Sequence, residues 1–310
     1  MCGLSCCDQF LQTEMRIFPL MCGLFLNMYL DFSTCMCYNN SIYRLKTYIG
    51  QKGWFACMSN SNFNIMLGDY TDRLKEVEDC SIDLVLCDPP YGTTPLEWDK
   101  EIDFSQFWQL TERVIKPTTP VLIFAQEPFA SKLRLSNLDW YKYDWYWKKE
   151  RPTNIFQVKR RPAKYVENVC VFYKEQCVYF PQKIQHIGNR VTNKVRGTFS
   201  QSISANQIKP TEYKDDGTRY PCEILEFKRD VYYENLHPTQ KPVALLEYLI
   251  KTYTEKEQTV LDMFMGSGST GIACLRAKRN FIGIDSDETY FEISKKRLAE
   301  EESKQRQKLF

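Results

Sequence analysis

Asp88-Pro89-Pro90-Tyr91 ends the apolar run DLVLC and is the first group of residues whose types and spacing suggest chemistry. Two successive prolines remove two backbone donors and fix φ, so the turn is stiff and its carbonyl groups are free to accept hydrogen bonds. Asp88 adds a carboxylate acceptor and Tyr91 a flat aromatic face. Together they predict a rigid pocket that accepts hydrogen bonds from an amino group and stacks on the ring that carries it.

Such a pocket would activate a ring amine, which is a poor nucleophile because its lone pair is delocalised into the ring. Acceptors on both amine hydrogens would draw the nitrogen toward a tetrahedral geometry and concentrate the lone pair for attack on a methyl group. The alternative is a helix-capping aspartate beside a proline turn with no chemistry. A second motif elsewhere in the chain decides between them.

A glycine-rich loop, LDMFMGSGSTG at residues 261 to 271, supplies that second motif. Gly266, Gly268 and Gly271 satisfy the pattern G-x-G-x-x-G, and Asp285 lies nineteen residues after Gly266 at the predicted tip of the next strand. Glycines let the backbone approach a ligand closely, a helix N-terminus offers N–H groups, and the acid accepts from ribose hydroxyls. The loop therefore predicts an adenosine ligand rather than a tight turn alone.

This loop by itself fits both a nicotinamide cofactor and S-adenosylmethionine. Asp262 at the strand end and Phe264 beside the loop are not parts of the dinucleotide fingerprint, which favours S-adenosylmethionine. The sequence contains no GK[ST], which excludes a phosphate-binding P-loop.

The elements that must position these motifs alternate between strands and helices. Apolar strands are predicted for NIMLGD, IDLVLCD, VLIFA, ENVCVFY, TVLDMF and NFIGID, and an aromatic strand for 141 to 149. Helices are predicted for YTDRLKEVED, for 127 to 135, from Pro242 onward and after the glycine loop. Strands too apolar to be half-exposed, alternating with helices, predict an α/β fold whose sheet is buried on both faces.

Two regions depart from this alternation. Residues 1 to 57 lack clear periodicity and contain seven of the thirteen cysteines, so we expect an extension of unclear status before a domain that runs from Met58 to 310. Residues 175 to 235 are polar and irregular, as in an inserted region. The early cysteines form no CxxC pair and His186 and His237 are distant, so we expect reduced thiols and no metal.

Composition is ordinary for a globular protein, with 43% hydrophobic and 26% charged residues and a net charge of +2. This charge gives no overall field toward nucleic acid, so any basic surface must come from local clustering. Residues 17 to 30 are apolar but fall short of the roughly 20 residues that span a bilayer. Acids before them and the lack of a small-residue cleavage site argue against a signal peptide, and we expect a cytoplasmic protein.

In their order along the chain, the motifs resemble those of the amino-methyltransferases of DNA, the N6-adenine and N4-cytosine family. The arrangement is the permuted one that places the catalytic motif before the cofactor motif. The resemblance extends from about Asn64 to Lys296 through GDYTDRL, DLVLCDPPYGTT, FAQEPF, ENVCVFY, HPTQKP, DMFMGSGSTG and FIGIDSD. It implies a Rossmann-like S-adenosylmethionine-dependent methyltransferase fold, with a mixed sheet of about seven strands, helices on both faces and an antiparallel last hairpin strand.

The resemblance also implies a role for each motif residue. Asp88 and the Pro89 carbonyl would hold the target amine, Pro90 would complete the stiff turn, and Tyr91 would stack on a base flipped out of the duplex. S-adenosylmethionine would be the methyl donor. The residues that would bind it are Asp69, Asp262, Phe264, Gly266, Gly268 and Asp285, with Thr239 and Lys241 in the segment that closes over it.

Within that set, the resemblance gives Asp69 to the adenine of the cofactor and Asp285 to its ribose. Met263 stands where the family often has proline, and Asp285 where it often has glutamate; neither change affects the expected cofactor. Cys87 adjoins the site, but methylation of an amine needs no covalent nucleophile.

Two basic stretches would hold DNA. Residues 148 to 164 contain seven basic residues and one acid, and residues 176 to 211 contain five basic residues and no acid. Beside a base-flipping pocket, such clusters predict phosphate contacts rather than only a solvated face. The residues predicted to bind DNA are Lys148, Lys149, Arg151, Lys159, Arg160, Arg161, Lys164, Arg190, Lys194 and Arg196.

The resemblance places the target-recognition region at 175 to 235 and a mobile loop over the extruded base at 92 to 99. By their strand spacing, Trp140, Trp145 and Trp147 are instead predicted to pack in the core.

The sequence thus predicts a DNA adenine N6-methyltransferase that uses S-adenosylmethionine and acts on double-stranded DNA. Aspartate in DPPY, where the N4-cytosine subgroup usually carries serine, favours adenine. The alternatives are N4-cytosine methylation, methylation of RNA or of a protein glutamine, a nicotinamide dehydrogenase, and a DNA-binding protein without activity. The family also implies a cognate restriction endonuclease as a candidate partner, while the sequence leaves the oligomeric state open.

Overall fold

The computed structural model describes residues 35–38, 41–44, 62–92, 101–185, 217–230 and 240–307. The chain divides into two compact units, Met1–Asn60 and Ser61–Phe310. In the first unit, strand β1 (Cys35–Tyr38) pairs with strand β2 (Ser41–Arg44) in antiparallel fashion. The second unit contains both sequence motifs.

The second unit alternates strands and helices along most of its length. Its strands are β3 (Phe63–Leu67), β4 (Leu84–Cys87), β5 (Val121–Ala125), β6 (Tyr141–Lys148), β7 (Val166–Phe172), β8 (Ile184–Gln185), β9 (Thr218–Arg219), β10 (Ile224–Glu226), β11 (Thr259–Asp262) and β12 (Asn280–Asp285). Its helices are α1 (Tyr70–Arg73), α2 (Phe104–Val114), α3 (Phe129–Ser136), α4 (Val243–Tyr253), α5 (Ser269–Ala277) and α6 (Glu288–Gln307).

Eight of these strands form one sheet in the order β10-β6-β7-β5-β4-β11-β12-β3. Within it, β7 runs antiparallel to both of its neighbours, β5 and β6, and the other pairings are parallel. The predicted mixed α/β fold is confirmed, and so is the antiparallel hairpin strand. The sheet has eight strands rather than seven because β10, from the irregular region, pairs with the edge of β6.

The central strands are buried because helices cover both faces of the sheet. Every residue of β4 and β5 is buried. On one face, Leu249 of α4 and Ile272 of α5 pack in the same apolar cluster as Leu86. On the other face, Phe107 of α2 and Leu133 of α3 pack with the alternate strand residues. This two-sided burial explains the uninterrupted apolar runs in the sequence.

The two motifs meet because β4 and β11 are neighbours, with Val260 opposite Leu84 and Leu261 opposite Val85. From β4 the sheet continues through β5 in one direction, and from β11 it continues through β12 in the other. Ligands of such sheets bind beyond the carboxyl ends of the strands at this change of direction. The topology therefore places the DPPY turn and the glycine loop side by side, at the carboxyl ends of two central strands.

The predicted helices differ from the observed ones mainly at their ends. YTDRLKEVED forms only α1 and a 3₁₀ turn, Leu74–Glu76, and its buried residues are Leu74 and Val77. Two buried residues give a longer helix too little apolar contact with the sheet. Trp145 and Trp147 are buried and Trp140 is half-buried, as predicted for core residues. Across the described ranges, no helix has the length and apolar character needed to cross a membrane.

Gly271 in α5 allows a close approach that a larger residue would prevent. A Cβ atom there would lie 2.6 Å from Leu298 Cδ2 and 2.7 Å from Phe281 Cε1. We expect Gly271→Val to lower the free energy of unfolding by about 2–3 kcal/mol through overpacking, measured by chemical denaturation. Lys296→Val, which places the same side chain at an exposed position of α6, should cost less than about 1 kcal/mol. Equal losses would show that the packing at Gly271 can relax.

Candidate active site

The DPPY turn follows β4 directly and combines a buried backbone with a reachable carboxylate. Pro89 is buried, and the Asp88 side chain is 25% exposed. The Tyr91 hydroxyl donates to Asp88 Oδ1 at 2.6 Å, and the Tyr91 ring lies 5.1 Å from the ring of Phe129. The contact between Tyr91 and Phe129 thus fixes the turn, while the Asp88 carboxylate faces a cleft.

A chain of buried charges lies beneath this turn. Lys241 Nζ pairs with Asp88 and lies 3.0 Å from Glu167 Oε1. Lys149 Nζ pairs with the other oxygen of Glu167. The side chains of Glu167, Lys149 and Lys241 are only 2%, 7% and 9% exposed. We call these four residues the charge network; it contains two cations and two carboxylates.

Aromatic rings complete the surroundings of both ammonium groups. Lys241 Nζ lies 5.0 Å from the centre of the Phe124 ring, and Lys149 Nζ lies 4.9 Å from that of Trp147. Such contacts favour a cation over the face of the ring. The aromatic residues of β5 and β6 therefore help to hold the two lysines in place.

The network keeps Glu167 and Lys241 ionised despite burial. Burial alone would raise the pKa of Glu167, but the positive charges of Lys241 and Lys149 outweigh it and lower that pKa. Burial would likewise lower the pKa of Lys241, yet Asp88 and Glu167 raise it. Burial and the negative charges of Asp88 and Glu167 raise the pKa of Tyr91 well above its usual value. Its phenol therefore remains protonated and donates to Asp88.

Glu167 was not predicted from the sequence, and two lysines were predicted to contact groups other than those they contact in the structure. Lys149 was predicted to contact DNA, but it is buried against Glu167 and does not present its ammonium group on the surface. Lys241 was predicted to contact the cofactor, whereas its ammonium group contacts Asp88 and Glu167 on the side of the DPPY turn. An acid at the start of the apolar strand ENVCVFY, just after a basic stretch, was the available signal for Glu167.

The second half of the cleft begins at the end of β11. Asp262 is buried, and its Oδ1 accepts from the Phe264 N–H at 3.0 Å. Burial raises the pKa of Asp262 to about 7, assisted by the negative charges of Asp88 and Asp285, while hydrogen bonds from Thr270 and Phe264 oppose the rise. A buried carboxylate that is costly to ionise alone is suited to a cationic ligand group.

The glycine loop is held by the carboxylate at the end of β12. The Gly266 N–H donates to Asp285 Oδ2 at 2.7 Å, and the Asp287 N–H donates to Oδ1 at 2.8 Å. Burial raises the pKa of Asp285 despite these two bonds. Gly266 has φ +51°, and a Cβ atom there would point into open space with nothing within 4 Å. The loop therefore leaves room for a ligand directly above its backbone.

Gly268 has a different position from the one its motif suggested. It is the N-cap residue of α5, with φ +79°, and a Cβ atom there would lie 2.9 Å from Ser294 Cβ. It is not among the residues that line the cleft. Its close contact is with α6, so the structure gives it a role in the turn and in packing.

Asp69 caps α1 at the far side of the same cleft. Its Oδ1 accepts from the Thr71 N–H at 2.8 Å and from the Thr71 hydroxyl at 2.6 Å. The neighbouring Tyr70 ring lies 5.1 Å from that of Phe264, and both rings line the cleft. Tyr70 belongs to the motif GDYTDRL, but no role in the site was predicted for it.

A single cleft of about 1110 Å³ joins these parts. It brings together most of the predicted catalytic and cofactor residues and three from the predicted DNA set. The predicted residues that line it are Asp69, Asp88, Pro89, Pro90, Tyr91, Lys149, Arg161, Lys164, Lys241, Asp262, Phe264, Gly266 and Asp285.

Other predicted site residues lie outside the cleft or outside the described part of the chain. Lys148, Arg151, Lys159 and Arg160 are exposed and do not line it, and Lys148 pairs with Glu226 on the surface. The predicted residues beyond the described ranges are Thr239, Arg190, Lys194 and Arg196, together with residues 93–99 of the loop predicted at 92–99.

Cys87 lies immediately before the DPPY turn and is buried. Burial, with smaller contributions from Asp262 and Asp88, raises the pKa of its thiol well above the usual value. The thiolate is the nucleophilic form of cysteine, so the site disfavours covalent chemistry at this residue.

Comparison with known proteins agrees with this geometry. The sequence model of the N6/N4 DNA methylase family matches residues 82–296, which include the DPPY turn, the charge network and the glycine loop. The chain belongs to this family. Type II methyltransferase M.HpaI of Haemophilus parainfluenzae, one of the relatives, is 31% identical over 256 residues, 74% of this chain and 71% of that protein.

Other similar proteins are more distant in sequence but cover much of the chain. Type II methyltransferase M2.MboI of Moraxella bovis is 27% identical and covers 78% of this chain and 89% of its own. The crystal structure of the M1.HpyAVI–SAM complex superposes with a TM-score of 0.51 at 27% identity, covering 76% of this chain and 98% of that one. The PvuII cytosine-N4-specific DNA methyltransferase has a TM-score of 0.54 at 18% identity over 78% and 92%, which shows a shared fold.

The charge network predicts a large cost for removing its central acid. Glu167→Gln leaves two buried ammonium groups with one carboxylate, so we expect the free energy of unfolding to fall by about 3–5 kcal/mol, measured by urea denaturation at neutral pH. The control is Glu226→Gln, which removes the exposed partner of Lys148 and should cost less than about 1 kcal/mol.

The same variant has an expected pH dependence. Because the folded state lowers the pKa of Glu167, its stabilising contribution is complete above the unfolded pKa of about 4.3 and is lost as the pH falls below it. The difference between wild type and Glu167→Gln should therefore shrink in acid. A difference that stays constant from neutral pH to pH ~3 would contradict the assigned ionisation.

Proposed function

We propose that the protein transfers a methyl group from S-adenosylmethionine to the N6 amine of adenine in double-stranded DNA. The observation that carries the proposal is one cleft that contains both the Asp88 turn and the pocket above Gly266. Amine methylation requires an acceptor site for the amine beside a site for the methyl donor. Membership of the DNA methylase family supports the reaction class.

The residues of the pocket fit S-adenosylmethionine. Asp262 offers a buried carboxylate for a cationic group, and Gly266 leaves open space above its backbone. Asp69 and Asp285 add carboxylates at the pocket's edge. When bound, S-adenosylmethionine supplies an electrophilic methyl group. The similarity to M1.HpyAVI, whose crystal structure is that of a complex with SAM, supports this choice.

The DPPY turn would hold and orient the amine. Asp88 is the partly exposed carboxylate of the turn, and its hydrogen bond from Tyr91 and ion pair with Lys241 fix its orientation. The amine hydrogens would be accepted by Asp88 and by the Pro89 carbonyl, which concentrates the nitrogen lone pair toward the methyl group. Tyr91 packs on Phe129 with one side of its ring, so stacking on the base would use the other.

Adenine is favoured over cytosine by the first residue of the motif. Asp88 stands where the N4-cytosine subgroup usually carries serine, and a carboxylate is the stronger acceptor for an amine hydrogen. N4-cytosine methylation is the second candidate, because the family includes both classes and the PvuII enzyme of similar fold is named as cytosine-N4-specific.

DNA would be held by the exposed cations beside the cleft. Arg151, Lys159, Arg160 and Arg161 are exposed and follow β6, and phosphate contacts of this kind position a duplex without reading its sequence. We propose, as the sequence predicted, that residues 175–235 recognise the target. A cognate restriction endonuclease would be the corresponding partner.

Transfer of tritiated methyl groups to unmethylated DNA tests the function. We expect label in N6-methyldeoxyadenosine after digestion and nucleoside chromatography, and none when RNA replaces DNA. Label in N4-methyldeoxycytidine would support the second candidate. Label in no nucleic acid would refute both. Sequencing of the labelled DNA for modified positions would then give the recognised sequence.

Asp88→Ala should abolish methyl transfer while S-adenosylmethionine still binds, because the amine acceptor is lost and the glycine-loop pocket is intact. Cofactor affinity should stay within about threefold of wild type, a difference of less than 1 kcal/mol, measured by calorimetry. Asp88→Asn, which keeps the shape but not the charge, should also be inactive. If both variants lost S-adenosylmethionine binding as well as methyl transfer, Asp88 would have a structural role instead.

Cofactor affinity should depend on pH through Asp262. Because its folded pKa is about 7, a cationic ligand must displace a proton at lower pH, and affinity should rise by up to about tenfold per pH unit until pH ~7 and then level. Asp262→Asn should lack this component. Calorimetry from about pH 5.5 to 8.5 would measure cofactor affinity for wild type and Asp262→Asn. Ionisation of the cofactor affects both proteins equally, so the difference between their pH profiles reports on Asp262. Identical profiles would contradict the proposed role of Asp262.

A further inference from the structure

The segment between β6 and β7 is a closed, rigid loop. At its neck, the Lys149 N–H donates to the Tyr165 carbonyl at 2.8 Å and the Thr153 N–H to the Lys164 carbonyl at 3.0 Å. Asn154, which is buried, ties both strands of the neck together. Its Nδ2 donates to the Pro162 carbonyl at 2.9 Å, and its Oδ1 accepts from the Lys164 N–H at 2.7 Å.

The tip of this loop exposes apolar side chains to water. The 3₁₀ turn Ile155–Gln157 is closed by the Gln157 N–H, which donates to the Asn154 carbonyl at 2.8 Å. On it, Phe156 is fully exposed and Ile155 is 58% exposed, and Val158 follows at 47%. Phe156 and Gln157 line the mouth of the cleft. A rigid turn that holds a phenylalanine in water at the cleft mouth is built for contact with another molecule.

The positive charges around the tip favour a polyanion as the binding partner. Lys159, Arg160 and Arg161 follow directly and are exposed, and residues 151–166 contain no acid. An apolar ring within a group of cations is complementary to duplex DNA, in which phosphates surround stacked bases. The rigid neck means that little conformational entropy would be lost when the loop binds.

We propose that Phe156 inserts into the base stack at the position that the target base leaves, while Lys159, Arg160 and Arg161 hold the adjoining phosphates. This inference rests on the proposed function. Extrusion of a base breaks its pairing and stacking and leaves a gap in the duplex. An aromatic ring in that gap restores stacking to the neighbouring bases and so stabilises the extruded state. Phe156 is thus a positioning residue that acts on the DNA and not on the reacting atoms.

The test compares two duplexes that carry the mapped recognition sequence, one with the target base paired and one with it opposite an abasic site. Extrusion costs less in the second because no pair is broken. We expect Phe156→Ala to lower kcat/KM at least about tenfold on the paired duplex and by less than about threefold on the other. Phe156→Trp should restore activity on the paired duplex, since its ring also stacks.

Leu138→Ala is the matched control, because Leu138 is also apolar and exposed but does not line the cleft. It should leave both duplexes unaffected. A second readout places 2-aminopurine at the target position, where its fluorescence rises as it leaves the stack. At saturating protein, Phe156→Ala should reduce that rise.

Equal losses on the two duplexes, or an unchanged fluorescence rise, would overturn the role of Phe156 while leaving the proposed function standing. A wild-type protein that methylates neither duplex would overturn the proposed function and this inference with it. Circular dichroism melting of each variant controls for folding, and the full exposure of Phe156 predicts no change in Tm.

Discussion

The ion pair between Lys241 and Glu167 is the interaction on which the architecture of the cleft depends. Glu167 is the second residue of β7, Lys241 precedes α4, and the same ammonium group reaches Asp88 after β4. Three separate parts of the chain are therefore fixed by one buried cation. Burying such charges is tolerable only because each has partners of opposite sign, which makes their relative positions strict.

This requirement explains what the sequence revealed and what it did not. The DPPY turn and the glycine loop are local patterns, and the burial of β4 and β11 follows from their apolar runs, so their meeting at one sheet edge could be predicted. Glu167 could not be assigned in the same way, because its partners Lys149 and Lys241 lie at different distances along the chain. Lys149 reaches Glu167 through the antiparallel pairing of β7 with β6, and Lys241 reaches it from the segment before α4.

The glycines show the same limit at the level of single residues. The pattern G-x-G-x-x-G assigned Gly266 and Gly268 alike to the cofactor, yet one faces open space and the other faces Ser294. Which glycine approaches a ligand depends on where α6 packs, and the motif contains no information on that. Likewise, YTDRLKEVED has the composition of a helix but buries too little apolar surface to extend beyond α1 and one further turn.

The balance of charges within the network has a consequence for how ionic strength acts on the protein. Two lysines and two acids cancel beneath the DPPY turn, whereas the cations of the loop after β6 face solvent. Dissolved salt screens exposed charges strongly and buried pairs only weakly. Added salt would therefore weaken the binding of DNA to the loop while leaving the charge network unchanged. Ionic strength would then affect DNA binding without affecting the methyl-transfer step.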